Sequence, residues 1–340
     1  MGRSISDLVV FILKRLVQLI PVIFGVVTLT FIFSRVSATN PCAAWEGPKA
    51  PKSAIQACIN YFGLNLPIFT QYTKWWSGFL TGNWGIDPNS SQPVLPSILQ
   101  AFPATLELVL ASLFLMVVIG IPLGVTAANS NGRLGDHLVR VFYLSGWATP
   151  TYLISAILFI GVAGTLGISG GTFSTTTPPF PQPTHMSVLD ALLAGNLSAT
   201  GDALVHLMLP AAALAFLNMG IITRLTRSSM LESLPLDYVK TARMKGLSEF
   251  WVLYKHALRT SLISVVTVLG LTAGYLLAST VVVEEIFGWP GIGAYAYTAV
   301  TEDSFSGTLG VVVFFAIGVV LANLLADIAY GLLDPRVEWR

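Results

Sequence analysis

Residues Leu234–Leu262 read LPLDYVKTARMKGLSEFWVLYKHALRTSL, a polar stretch inside a chain that is apolar on both sides of it. Pro235 is expected to open a helix, because the first helical position needs no N–H donor. Gly246 is expected to end that helix in the left-handed conformation, which glycine adopts at little cost. Ser248 is then placed to cap a second helix that starts near Glu249. The stretch therefore predicts a helix, a glycine turn and a second helix, all in water between two hydrophobic spans.

Two interpretations of this polar segment are open from its spacing alone. A short helix–turn–helix between membrane spans is suited to dock into a groove on a soluble partner. A basic segment in the same position is also typical of an ordinary loop attracted to anionic lipid headgroups.

The composition is that of a membrane protein. Of 340 residues, 54% are hydrophobic and 10% are charged, whereas soluble domains are about 25% charged. The net charge of +1 gives no basic field of the kind that binds nucleic acid. The sequence contains no GxxxxGK[ST] and no HExxH motif, so it has no visible nucleotide or zinc site. The first apolar run continues for a bilayer thickness without a clear cleavage site, which indicates a retained span rather than a signal peptide.

Six apolar segments predict an all-α, polytopic membrane protein with six transmembrane helices. The spans are expected at about 16–33, 105–128, 138–166, 204–222, 261–283 and 309–333. Prolines inside four of them are tolerated in membrane helices. We divide the chain into an N-terminal segment with the first helix (1–35), an extracytoplasmic region (36–103) and a five-helix core (104–337). The core includes the polar segment at 234–260, and the extracytoplasmic region includes an amphipathic helix near Ile68–Leu80.

Basic residues and cysteines predict the orientation. Fourteen of the 18 Lys and Arg residues fall on segments that share one side of the membrane, which predicts that both termini and the polar segment are cytoplasmic. The two cysteines, Cys42 and Cys58, both fall in the first outer loop, where an oxidising exterior allows a disulfide. We favour the bond over two free thiols, and closing such a loop contributes about 3 kcal/mol.

Carboxylates in or near spans are candidates for function. For Glu107 we favour an acid near the N-terminus of its own helix. For Asp327 we favour a bond across helices that serves packing. Glu284 and Glu285 could form an acid pair at the outer mouth, but we expect solvated residues around the turn Trp289–Gly291.

The remaining candidates are aromatic residues and histidines. Four tryptophans of the outer region could stack on sugars or peptides, but membrane-interface anchors are the commoner role; they are Trp45, Trp75, Trp76 and Trp84. The four histidines are scattered along the sequence, so we predict no metal site.

Five stretches together resemble a known family. They are RLVQLIPVIFGVVTLTFIFSRV at Arg15–Val36, FPATLELVLASLFLMVVIGIPLGVTAA at Phe102–Ala128, DYVKTARMKGLSEFWVLYKHALR at Asp237–Arg259, VVEEIFGWPGIG at Val282–Gly293 and DIAYGLLDPRV at Asp327–Val337. The chain resembles the inner-membrane permease subunits of ABC importers, in the dipeptide, oligopeptide and nickel branch and of the first permease type. The resemblance covers nearly the whole chain and implies the type I importer permease fold.

The resemblance also implies functional residues. The family's cytoplasmic loop has the form EAA, three residues, Gly; here Gly246 and Ala242 match it, while Lys240 and Thr241 stand where Glu and Ala would be. The salt bridge attributed to the family's glutamate therefore has no counterpart. The implied ATPase-coupling residues are Asp237, Tyr238, Lys240, Thr241, Ala242, Arg243, Lys245, Gly246 and Leu247. The implied outer-turn residues are Glu284, Trp289, Pro290 and Gly291.

The resemblance implies partners and a mechanism. A second homologous permease would complete the path, two ATP-binding subunits would hold ATP and Mg, and an extracytoplasmic binding protein would deliver peptides or similar solutes. This chain would bind no cofactor and catalyse no reaction, in the plasma membrane of a prokaryote. Oligosaccharides or metal ions are alternative cargoes. A stand-alone secondary transporter should show inverted repeats and broken helices at the midplane, and a membrane enzyme should show clustered acid, base or metal residues; we see neither pattern clearly.

Overall fold

Residues 5–36, 42, 45, 50–87 and 90–333 are described in a computed structural model of the chain, and most of them are helical. The helices of this part are α1 (Ile5–Val36), α2 (Lys52–Tyr61), α3 (Ile68–Leu80), α4 (Val94–Asn129), α5 (Leu134–Ala148), α6 (Thr151–Leu166), α7 (Ser187–Leu193), α8 (Leu197–Ser233), α9 (Asp237–Met244), α10 (Glu249–Phe287), α11 (Ile292–Thr301) and α12 (Phe305–Leu333). The last residues of the tail that resembles the family, 334–337, lie outside the described part.

Five helices of the described part are long and apolar enough to cross a membrane, namely α1, α4, α8, α10 and α12. Helices α5 and α6 supply a sixth span if they are taken as one, although they meet at an angle of 104°. The break falls at Thr149 and Pro150, where Thr149 has an extended ψ of 128°. The residue before a proline avoids the helical region, so the helix ends there. The predicted third span, 138–166, is therefore two helices and not one.

Two other boundaries differ from the prediction. Helix α4 starts at Val94, so residues 94–104 belong to a helix and not to the outer loop. Helix α10 starts at Glu249, so the second helix expected in the polar segment is the first part of a membrane span. No proline lies between Glu249 and Phe287, and nothing in the sequence ends the helix earlier.

Helix α8 is the centre of the core and α1 is peripheral. Of the most apolar part of α8, 61% is buried inside the protein, against 12% for α1, which packs along α12. Helices α4 and α8 approach closely at Gly124, where an added Cβ would lie 2.5 Å from Cβ of Thr226. Small residues allow this approach, and close packing stabilises helix pairs in lipid.

The described residues between α1 and α4 form a small layer at one end of the helices, and we call it the outer layer after the side of the membrane that the sequence predicts for it. Cys42 and Cys58 are joined by a disulfide. The predicted amphipathic helix at 68–80 is confirmed as α3, whose aromatic side chains pack on Trp84 and on the start of α4. This layer lies over the first turns of α12, at the same end of the molecule as α11.

Two of the candidate carboxylates hold helices together. Asp327 pairs with Arg15 at 2.9 Å, which confirms a bond across helices, here between α12 and α1. Glu107 is buried in the middle of α4 because that helix starts early. Its carboxylate accepts hydrogen bonds of 2.8 Å from the backbone N–H groups of Ser187 and Val188. The acid therefore caps α7 and not its own helix, so the prediction for Glu107 was wrong in this respect.

Candidate functional site

Helix α9 is fixed to the core by one narrow face. Val239 is 0% exposed and Ala242 is 4% exposed, and both belong to a buried cluster with Val252 and Leu253 of α10. Residues three apart lie on the same side of a helix, so the rest of α9 faces outward. Ala242, one of the coupling residues that the resemblance implies, packs against the chain's own span.

The turn after α9 has the geometry that the sequence predicts. Gly246 has φ of +74°, in the left-handed region, and its N–H donates to the carbonyl of Arg243 at 3.0 Å. An ideal Cβ at Gly246 would have no atom within 4 Å. A side chain at this position would therefore strain the backbone without clashing with any neighbour.

The two capping predictions near α9 were only partly right. Helix α9 begins at Asp237, directly after Leu236, so Pro235 precedes the helix and does not open it. Ser248 does precede the helix that starts at Glu249, but its side chain makes no capping hydrogen bond.

The charged residues among the implied coupling residues are mostly paired within the chain. Arg243 and Glu249 form an ion pair of 2.7 Å across the glycine turn, and this hydrogen bond raises the pKa of the Arg243 guanidinium. Lys240 pairs with Asp237 at 3.1 Å. All four side chains are exposed, and such pairs contribute about 1 kcal/mol or less. They could therefore exchange partners at little cost, and Lys245 has no ion pair within the described part of the chain.

Large apolar side chains beside the turn are exposed, and three of them, Met244, Phe250 and Trp251, were not among the implied coupling residues. We call them the α9 patch: Tyr238, Met244, Leu247, Phe250 and Trp251, exposed by 41%, 79%, 42%, 60% and 54%. Exposed groups of large apolar side chains mark interaction sites on proteins. The run Phe250–Trp251 inside a polar segment was the available sequence signal.

The outer turn is built on a buried carboxylate, so the prediction of a solvated Glu284 was wrong. Glu284 is 0% exposed at the end of α10. It accepts a hydrogen bond of 2.8 Å from the hydroxyl of Thr105 and one of 3.1 Å from the backbone N–H of Ala294. The Thr105 hydroxyl also accepts a hydrogen bond of 2.8 Å from the backbone N–H of Ile292. Glu284 and Thr105 thus join α10, α4 and the first turn of α11.

The other outer-turn residues pack around Glu284 and Thr105. Trp289 is 0% exposed and donates from Nε1 to the carbonyl of Ala104 at 2.8 Å. An ideal Cβ on Gly291 would lie 2.3 Å from a carboxylate oxygen of Glu284, so only glycine fits. Pro290 lines a surface cavity together with Ser97 of α4. Thr105 was missed by sequence reasoning, because a single Thr in an apolar helix carries no distinctive pattern.

Another buried carboxylate, in α5, also had no recognised signal in the sequence. Asp136 is 0% exposed and pairs with Arg140 at 2.5 Å and with Arg227 of α8 at 2.7 Å. It also accepts a hydrogen bond of 3.0 Å from the backbone N–H of Gly132. The sequence analysis counted these arginines only as cytoplasmic charge, whereas they fasten the turn between α4 and α5 to α8.

The helices and the exposed turn define a class of protein: a multi-pass helical membrane protein with a short exposed helix and a glycine turn between two spans. The chain matches the family described as "Binding-protein-dependent transport system inner membrane component" over residues 120–339. It therefore belongs to this family of multi-pass inner-membrane proteins, and it is a permease subunit rather than a stand-alone secondary transporter.

Individual relatives cover nearly the whole chain. It is 37% identical over 326 residues to a probable D,D-dipeptide transport system permease protein of Escherichia coli (strain K12), covering 95% of this chain and 96% of the relative. It is 37% identical over 331 residues to the di/tripeptide transport system permease protein of Pseudomonas aeruginosa (strain UCBPP-PA14), covering 96% and 98%.

A solved structure has the same fold. An inward-facing form of the MetNI methionine ABC transporter matches with a TM-score of 0.50 and 17% identity, covering 70% of this chain and 96% of that chain. The resemblance to an importer permease and to its fold is thus confirmed.

Proposed function

We propose that this chain forms half of the translocation path of an ABC importer for short peptides, and that α9 with its glycine turn contacts an ATP-binding subunit. The observation that carries the coupling role is the α9 patch. Helix α9 is fixed by buried Val239 and Ala242 and turns large apolar side chains outward beside the turn. A helix held this way transmits a push to α10, because α9 packs on the first turns of that span.

The peptide cargo is inferred from relatives. Both permeases described above are named for dipeptides or tripeptides, and each is 37% identical to this chain. This level of likeness along nearly the full length favours peptides over oligosaccharides or metal ions as the cargo.

The proposed assembly follows the family pattern. A second homologous permease completes the path, two ATP-binding subunits hold ATP and Mg, and an extracytoplasmic binding protein delivers the peptide. The chain itself catalyses no reaction. Both termini and α9 lie in the cytoplasm, in keeping with the distribution of Lys and Arg. We keep the division into residues 1–35, 36–103 and 104–337, with the first ten residues of α4, 94–103, in the middle region.

Two glycine variants test the coupling role. Gly246→Val strains the turn after α9 by roughly 1–2 kcal/mol. Gly195→Val is the matched control: Gly195 has φ of +65°, and its Cβ would also have no atom within 4 Å. Gly195 lies between α7 and α8, away from α9. The two variants therefore impose the same backbone strain at different sites.

The measurement is recovery of partner subunits together with peptide uptake. The tagged chain is purified in mild detergent from the membranes of its source organism, and co-purifying proteins are identified by mass spectrometry. We expect the native chain and Gly195→Val to bring down a second permease and ATP-binding subunits and to support uptake. We expect Gly246→Val to lose the ATP-binding subunits or peptide-dependent ATP hydrolysis while remaining folded. Normal uptake by Gly246→Val, or recovery of the native chain alone, would contradict the proposal.

A further inference from the structure

A cavity of about 500 Å³ lies in the outer layer, far along the chain from α9 and its turn. This volume is within the range of roughly 300–1,000 Å³ that is typical of small-molecule sites. One wall is a single face of α3, formed by Gln71, Lys74, Trp75 and Gly78, which are spaced as neighbours along one side of a helix. The facing walls are the segments 60–66 and 83–85.

The walls are held in place before any ligand arrives. The Gln71 amide donates from Nε2 to the carbonyls of Leu64 at 3.1 Å and Leu66 at 2.8 Å, which ties α3 to the facing segment. The backbone N–H of Asn83 donates to the carbonyl of Gly78 at 2.8 Å. A pre-formed cavity binds a ligand without the entropy cost of ordering its walls.

The lining of the cavity is aromatic and amide-rich, with one charge. The aromatic side chains are Trp45, Tyr61, Phe62, Trp75, Trp84 and Phe305, and the amides are Asn60, Asn65, Gln71 and Asn83. Lys74 is the charged residue among the described lining residues, and no carboxylate is among them. The Lys74 side chain is exposed and has no ion pair within the described part of the chain. The lining thus favours a ligand that carries an anionic group and an apolar group.

Two polar atoms of the wall have no hydrogen-bond partner among the described residues. They are Oε1 of Gln71 and Nε1 of Trp75, an acceptor and a donor one helical turn apart, and both are buried. A buried donor or acceptor without a partner is unfavourable. A peptide group carries one N–H donor and one carbonyl acceptor, so it offers the kind of partner that each of these two atoms lacks.

We propose that this cavity binds the carboxyl-terminal end of a short peptide. Lys74 pairs with the terminal carboxylate, Gln71 and Trp75 bond to the last peptide group, and the aromatic wall contacts an apolar side chain. The choice of a peptide over another carboxylate rests on the proposed function. In the proposed orientation the cavity faces the exterior, so it retains peptide on the permease outside the translocation path.

The test compares a free carboxylate with an amide. The full-length chain is purified in lipid nanodiscs, and binding of Ala-Ala-Phe and of its C-terminal amide is titrated by isothermal calorimetry or ligand-observed NMR. We expect the free acid to bind about two- to fivefold more tightly, which is the range for an exposed ion pair. Lys74→Gln should remove this preference. Lys52→Gln should keep it, because Lys52 is an exposed residue of α2 outside the lining of the cavity.

Each outcome tests the proposed peptide site independently of the proposed importer function. Equal binding of acid and amide, an unchanged preference in Lys74→Gln, or no binding of either peptide at about 10 mM would overturn the site. Such results would leave the importer assignment intact if ATP-binding subunits still co-purify with Lys74→Gln. Binding of the free acid to a chain that recovers no ATP-binding subunit would instead support the site and contradict the coupling role.

Discussion

The hydroxyl of Thr105 offers the sharpest test of how α4, α10 and α11 are held together. It donates to Glu284 and accepts from the backbone N–H of Ile292, each at 2.8 Å, and all three residues are 0% exposed. Thr105→Val keeps the shape of the side chain and removes both hydrogen bonds. Thr105→Ser keeps the hydroxyl and removes one methyl group.

The expected loss of stability differs clearly between the two variants. Thr105→Val leaves the Ile292 N–H without its partner and removes one of the hydrogen bonds to the buried Glu284 carboxylate, which destabilises the protein by roughly 2–5 kcal/mol. Thr105→Ser loses about 0.8 kcal/mol from one buried methyl group. A difference of more than about 1 kcal/mol between them isolates the hydroxyl from the packing.

The assay is thermal unfolding of the purified protein in detergent, followed by tryptophan fluorescence. At roughly 2 °C per kcal/mol for a chain of this size, Thr105→Val should lower Tm by at least about 4 °C. Thr105→Ser should lower it by about 2 °C or less. Amide hydrogen exchange in α11 should also rise in Thr105→Val alone, because Thr105 covers the Ile292 N–H. Equal Tm values for the two variants, with unchanged exchange in α11, would refute the reasoning.

Two further predictions concern helix packing and the buried charge cluster. Gly270→Leu should lower stability by about 1–3 kcal/mol, because an ideal Cβ at Gly270 lies 2.4 Å from Cβ of Ala326. Gly25→Leu, where no atom lies within 4 Å, should be neutral in the same unfolding assay. Arg227→Gln should destabilise the native protein more than it destabilises the Asp136→Asn variant, with a coupling free energy of about 1 kcal/mol or more. Additive effects in this double-mutant cycle would mean that the ion pair between Arg227 and Asp136 is not formed.

The sequence predicted where the α9 segment lies, but not which of its side chains are buried and which are paired. The glycine turn at Gly246 was predictable, because a left-handed residue between two helical patterns favours glycine. The burial of Val239 and Ala242 depends on α10 starting at Glu249 and running on as a span. The ion pair of Arg243 with Glu249 depends on the direction that the turn takes. Those features are tertiary contacts, which local pattern does not specify.

The sequence by itself determined the class of this protein. Long apolar segments require helices, because backbone groups in lipid must bond within their own segment. The amphipathic helix α3 and the family resemblance were likewise readable from local pattern. Only the tertiary structure decided which polar residues are buried and with what. Thr105 and Glu284 are 179 positions apart, and Asp136 and Arg227 are 91 apart. A carboxylate in an apolar stretch looks the same in sequence whether it faces water or a partner helix, and folding alone brings its donors to it.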